Sequence, residues 1–435
     1  LAGSAGLATR AEARAQAAPG ARIPVGGLDL GELEIVDTHV HPPNPMTLAD
    51  SYRTWNSSFV DALLPSYDFP EKEALRARLA QDFEKHLYNL PRQTGYFNYV
   101  ARVYGVSPDL AGFDSVMARN IGGDFKAYVR SILDREKIGK VVLQSRDSEP
   151  RPPEGHVPRE RFVWTYSVTE LLQRDWAVSK EAREIDDVLG RVDQILETAV
   201  ANACRGFKIA IAYFRPLAIG KVRKEEAAAA LKAILAREPS GYRSFPGRIP
   251  YYDDPKLEQA QRLYQDFLLK HIFVKAGRLG MPMVIHIAVG LHPALQFQYN
   301  DPTDLYETFR DEEVERAYTR FVLIHTSYPY HHFLAAMLSQ FPNVFTDLSF
   351  FSKFPGTVEE TLRAFLSLAP PEKVMHGSDS NNVPEEIGYC ADNTRRALAK
   401  VLNEFRTHYG WTDADCRRIA TQVLAGNARR VFQIA

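Results

Sequence analysis

The sequence predicts an α/β fold, a (β/α)8 barrel with a helical insertion after its first strand. Three observations predict it. Eight short apolar segments recur along the 435 residues, helix-patterned stretches separate most of them, and residue types suited to metal binding or proton transfer close five of the eight.

The first segment is Glu34-Ile35-Val36-Asp37-Thr38-His39-Val40-His41, followed by Pro42-Pro43. In a strand, residues i and i+2 share a face, so His39 and His41 leave the strand side by side. The two prolines cannot continue a central strand, which puts the pair at its C-terminal end. Two neutral imidazoles aimed at one point suit a divalent ion. Exposed histidines are also ordinary on strands, so the residues downstream decide between the two.

Residues 42–120 read as the helical insertion. They are rich in aromatics, and Leu75, Leu79, Phe83 and Leu87 recur every four residues in a helix over Glu71 to Leu90 that Pro91 ends. Such an insertion lies over the end where His39 and His41 emerge, as a lid or pocket wall. Most of its aromatics read as its own core.

From residue 122 a rhythm begins. A helix over Gly122 to Ile138 precedes strands at Lys140–Gln144 and Arg161–Tyr166. An amphipathic helix over Glu184 to Cys204 precedes the strand Gly206–Ile211. Helices over 223–237 and 255–279, broken by a Pro/Gly/Tyr-rich loop, precede strands at Pro282–Ile287 and Phe321–His325. Helices near 331–340 and 357–367 alternate with strands at Asn343–Leu348 and Lys373–Asp379, and helices near 392–406 and 413–426 close the chain.

Barrels of this kind carry their chemistry at the C-terminal mouth of the strands. Strand one ends in His39 and His41, strand four carries Lys208, strand five His286, strand six His325 and strand eight Asp379. Singly, a His after an apolar run reads as a hydrogen-bonded core residue and an Asp in Gly-Ser-Asp as a turn. Together they converge on one mouth. His376 reads as a buried structural histidine, and His331 and His332 as helix-start residues.

Composition bounds the function. The net charge is −1 at pH 7 and 25% of residues are charged, so there is no electrostatic case for nucleic acid or an anionic membrane. No apolar run approaches the roughly 20 residues of a membrane span. The partner expected is a small-molecule substrate, and homo-oligomerisation stays open. Cys204, Cys390 and Cys416 are far apart and odd in number, which argues against a disulfide framework. Residues 1–22 are Ala/Gly-rich with Arg10, Arg14 and Arg22 and read as a flexible tail or the remnant of an export signal, the latter implying a periplasmic or exported protein and the former a cytoplasmic one. Residues 23–435 read as one barrel domain.

The strand-end set resembles the amidohydrolase superfamily over residues 34 to about 430. A closer likeness is to the amidohydrolase-2 type, including the amidohydrolase domain fused in some chains to a glutamine synthetase-like domain. It is carried by Gly206-Phe207-Lys208 with Ala212-Tyr213-Phe214-Arg215, by His325-Thr326-Ser327-Tyr328-Pro329-Tyr330, by Asn343-Val344-Phe345-Thr346-Asp347 and by Gly377-Ser378-Asp379-Ser380 with Pro384-Glu385. Phe214-Arg215-Pro216 departs from the fused group.

The resemblance implies that His39, His41 and His286 hold a divalent metal with Asp379, zinc being the leading choice, with one or two ions. It makes His325 a second-metal ligand or a general acid/base. Lys208 would carry a bridging carbamate, point away, or bind a substrate carboxylate. A bound divalent ion makes water acidic near neutral pH and polarises a carbonyl. Asp379 can then move the proton, and His325 can stabilise oxyanion charge. Arg146 and Arg215, past strands two and four, can hold a substrate carboxylate or form surface ion pairs. The expected activity is metal-dependent hydrolysis of a C–N or C–O bond (amide, lactone or similar) in a small substrate. Metal-dependent decarboxylation and non-catalytic ligand binding are the alternatives.

Overall fold

The computed structural model describes residues 28–64, 67–145, 149–243, 249–293 and 295–435. The predicted tail at 1–22 and Arg146 lie outside the described residues.

In chain order the elements begin with β1 (Ile35–Val40), then α1 (Leu48–Leu63), α2 (Lys72–Tyr88), α3 (Pro91–Tyr104), α4 (Leu110–Ile121) and α5 (Phe125–Arg135). β2 (Ile138–Gln144), β3 (Phe162–Ser167), α6 (Arg174–Ser179), α7 (Ile185–Ala201), β4 (Cys204–Ile209) and α8 (Lys224–Leu235) follow. A small antiparallel hairpin, β5 (Gly241–Arg243) and β6 (Ile249–Tyr251), leads to α9 (Pro255–Arg278), β7 (Met283–His286), α10 (Tyr306–Phe309), α11 (Glu312–Ala317) and β8 (Phe321–Ile324). The chain ends with α12 (His331–Gln340), β9 (Val344–Asp347), α13 (Pro355–Leu368), β10 (Val374–Met375), α14 (Glu385–Tyr409), α15 (Asp413–Thr421) and α16 (Asn427–Val431). The eight-stranded sheet runs β1-β2-β3-β4-β7-β8-β9-β10, all parallel. It is drawn into a barrel by backbone bonds from Thr38 N–H to His376 O (3.1 Å), Asp379 N–H to His39 O (2.8 Å) and His41 N–H to Ser380 O (2.9 Å). The predicted fold class is the observed one.

The strands read as apolar runs because both of their faces are covered. Val36, Val142, Val284, Val322, Phe345 and Met375 form an inner cluster, closed below by Val431, Phe432 and Ile434. Ile35, Val141, Phe207, Met283, Ile285, Phe321 and Leu323 pack outward in the larger cluster that the helices share. Val36 and Val40 have the same parity, yet Val36 is in the inner cluster and Val40 in the outer. The register with β2 shifts between Asp37 and Val40, and that irregularity re-aims the end of β1. No helix among the described residues is long and apolar enough to cross a membrane.

Several boundaries differ from the sequence reading. Pro91 does end the preceding helix, but it also opens α3 at its first turn, where proline's missing N–H costs nothing. The helix expected near 392 begins at Glu385. The last strand is two residues long rather than seven, and Asp379 beyond it has φ +53. The helix expected over 413–426 passes through a π turn at Gln422–Gly426 and resumes as α16.

Candidate active site

Six of the eight residues singled out from the sequence line one pocket of about 500 Å³: His39, His41, Lys208, His286, His325 and Asp379. Regular alternation delivers two of them. Lys208 follows outward Phe207, and His286 shares parity with inward Val284. The others need backbone irregularity. The register shift in β1 turns His39, Asp379 lies beyond the end of β10 with φ +53, and His325 follows inward Ile324 but has φ +67, the first of three consecutive residues with positive φ. A left-handed conformation is costly for a residue with a Cβ and is held only where the surroundings over-determine it.

His39 Nε2 and His41 Nε2 each lie 3.3 Å from Asp379 Oδ1. His39, His325 and Asp379 each offer a ligand atom within 4.8 Å of the other two. The His286 ring packs on His325 at 4.7 Å between centroids. The tightest grouping thus takes His325 with His39 and Asp379, whereas the resemblance grouped His286 with them.

Burial pulls the His39 pKa from 6.5 to about 3, with Lys208 adding to the effect. It pulls those of His286 and His325 well below their usual value too. Burial works against the Asp379 carboxylate, but the imidazoles of His325, His39 and His41 outweigh it and hold its pKa well below the usual range. Burial brings Lys208 down from 10.5 to about 8, against the pull of Asp379 and Asp347. Unprotonated imidazoles beside an ionised carboxylate are the state a divalent cation requires.

The support around these groups was not read from the sequence as such. Asp347, at the end of β9, accepts bonds from Thr38 Oγ1 (2.7 Å), Ser349 Oγ (2.6 Å) and the His325 backbone N–H (3.0 Å). Asp37 accepts from the backbone of His39 (3.2 Å) and Ser378 (2.9 Å), and burial lifts its pKa to about 7. Lys353 Nζ donates to Asp379 O at 2.8 Å. Gly377 is required by this crowding, because a Cβ there would lie 2.8 Å from Ser349 Cβ and 2.9 Å from Thr38 Oγ1.

Arg215 lies outside the pocket lining. It is buried, with its guanidinium bonded to Asp266 on α9, to Gln265 at 3.3 Å and to Ala218 O at 3.0 Å. His376 is fully buried and bonded through Nδ1 to Thr394 Oγ1 at 3.0 Å. His331 and His332 open α12.

The insertion supplies a pocket wall: Tyr52, Trp55, Ser58, Phe59, Leu87 and Arg92 all line the cavity. Ser58 Oγ lies 3.1 Å from His292 Nε2, tying α1 to the loop after β7. Of these residues Arg92 had a legible signal. It precedes Tyr96 by four and Tyr99 by seven, which places an arginine on the buried face of a helix.

The sequence profile of the amidohydrolase family matches residues 36–434. The chain belongs to the amidohydrolase family. Among solved structures, this amidohydrolase is similar to a proposed metal-dependent hydrolase from Lactobacillus casei, at 17% identity and a TM-score of 0.66, over 93% of this chain and 96% of that one. It is similar to a uronate isomerase from Thermotoga maritima at 14% identity and a TM-score of 0.63, over 92% and 95% of the two chains. These likenesses establish the fold. A curated relative, protein fluG of Emericella nidulans, is 28% identical over 118 residues, which is 26% of this chain and 13% of that protein.

The donor set of this amidohydrolase fits a divalent ion. Nitrogen and carboxylate ligands about 2.1 Å from a tetrahedral ion stand about 3.4 Å apart. The His39–Asp379 and His41–Asp379 separations of 3.3 Å match that spacing.

Proposed function

We propose that this amidohydrolase is a metal-dependent hydrolase that adds water across a C–N or C–O bond of an amide, lactone or similar small substrate. The observation that carries the reading is Asp379. Its carboxylate is in contact with two imidazoles and held ionised, yet 19% of its side chain remains exposed.

His39, His41, His325 and Asp379 would hold the ion, with His286 and Lys208 placed to complete one site or a second. Zinc is the ion proposed, because it favours nitrogen and carboxylate ligands. A divalent ion there supplies Lewis acidity, polarising a substrate oxygen and making water acidic near pH 7. Asp379 accepts the proton of the attacking water and returns it to the leaving nitrogen or oxygen. Lys208 lines the same pocket and offers a donor to oxyanion charge on the substrate. The helical wall from the insertion bounds one side of the site.

The test is turnover of a panel of amides and lactones by the metal-loaded protein in 18O-labelled water. One labelled oxygen in the acid product, with no CO2 released, is the expected result. CO2 release or an isomerised product without label would replace hydrolysis with lyase or isomerase chemistry on the same ligand set.

A further inference from the structure

We infer that Arg92 is the anchor for a carboxylate on a substrate with an apolar body. The inference rests on the hydrolase reading for the chemistry at the other end of the pocket, but not for the binding itself.

Arg92 is 6% exposed and lines the pocket. Its Nε has no hydrogen-bond partner, and among the described residues no carboxylate stands within ion-pairing distance of its guanidinium. The guanidinium shares a hydrogen bond with the Tyr52 side chain and lies 6.0 Å from the centroid of Tyr96 and 5.9 Å from that of Phe354. Glu386 is the acid whose charge reaches it. That carboxylate is already taken, accepting from Tyr96 Oη (2.8 Å), Lys353 Nζ (3.1 Å) and the Asn381 N–H (3.1 Å). On this wall two cations, Arg92 and Lys353, therefore face one anion. The other acids of the lining, Asp379 and Glu170, stand past the strand ends of β10 and β3.

A guanidinium cannot shed its proton, and this one, with Nε unpartnered and the nearest carboxylate already committed, keeps donor capacity for an anion brought from outside. The planar fork of arginine matches a carboxylate. α3 is held in place by α14: Arg102 pairs with Asp392 at 2.8 Å and Tyr104 bonds Glu385. The anchor is thus preorganised at low cost in side-chain freedom. Trp55, Phe59 and Phe350 line the space for the apolar body.

The experiment is calorimetry of metal-loaded protein with benzoate, benzamide and phenyl phosphate, on wild type, Arg92→Met and Arg92→Lys. Benzoate should weaken by about tenfold or more in Arg92→Met and recover in part in Arg92→Lys, while benzamide changes by less than about threefold. Arg92→Met should melt within a few degrees of the wild-type temperature, since no ion pair is broken and Tyr52 keeps Gln93 as a partner. Benzoate affinity unchanged in Arg92→Met would place the carboxylate elsewhere and overturn the inference. So would an equal loss of benzamide together with a lower melting temperature, which marks a structural arginine. Phenyl phosphate bound more tightly than benzoate and dependent on Arg92 would replace carboxylate with phosphate. Calorimetry reads binding without turnover, so a lyase or isomerase outcome in the labelled-water assay leaves this result standing. Hydrolysis with no dependence of benzoate binding on Arg92 removes the carboxylate and keeps the hydrolase.

Discussion

Ser349 Oγ sits 2.8 Å from His325 Nδ1 and spends its own proton on Asp347 Oδ1, 2.6 Å away. Ser349 must therefore accept from Nδ1–H, which leaves the lone pair of His325 on Nε2. The hydrogen-bond network sets the tautomer of a ring whose backbone is already bent to φ +67. Ser349→Ala removes the hydroxyl acceptor and leaves Nδ1 only the longer contact, 3.4 Å, with the backbone carbonyl of residue 349. Metal affinity or turnover should fall by about 10- to 100-fold with the fold intact by circular dichroism. Wild-type metal titration and kcat in this variant would show that the orientation of His325 does not depend on Ser349.

His39→Ala and Asp379→Ala each delete one side of the 3.3 Å contact at the pocket floor. Both should lose stoichiometric divalent metal, measured on purified protein by elemental analysis, and both should lose turnover. The site assignment is falsified if both variants keep wild-type metal content and rate.

Gly377→Ala places a methyl group between Ser349, Thr38 and Asp347, the residues packed around the chain just past β10. Overpacking of this kind costs about 1–3 kcal/mol. Thermal unfolding should report a lower midpoint, and turnover should fall with it because Asp379 is two residues on. An unaltered melting curve would mean that this junction yields at no cost.

His292 links the loop after β7 to α1, and burial lowers its pKa from 6.5 to about 4, with Ser58 partly offsetting the shift. The folded protein keeps the ring neutral where the unfolded chain would protonate it. Stability from this group is thus complete above pH 6.5, declines as the pH falls, and stops changing below about pH 4. Between those limits the wild type should lose more in melting temperature than His292→Asn does. Parallel curves for the two proteins would remove His292 as the cause.

The apolar runs of β8 and β7 and the polar residues that follow them belong to short stretches of chain, because a strand buried on both faces needs no partner to look apolar. Periodicity failed at the start of α14, where Glu385 and Glu386 are 1% and 6% exposed. Their burial depends on Tyr96, Tyr104, Tyr128, Arg135 and Lys353, all distant in sequence, so no hydrophobic pattern marks that turn as helix.

By itself the sequence determined the class of barrel, the family and the six side chains of the pocket, because strand order and strand-end chemistry are written one residue after another. Only the tertiary structure decided how the arginines are paired. Arg215 finds Asp266, whereas Arg92 forms no ion pair among the described residues and its neighbour Glu386 is paired with Lys353. Charge pairing is a contest settled by proximity in space, and the spacing of residues along the chain does not record it.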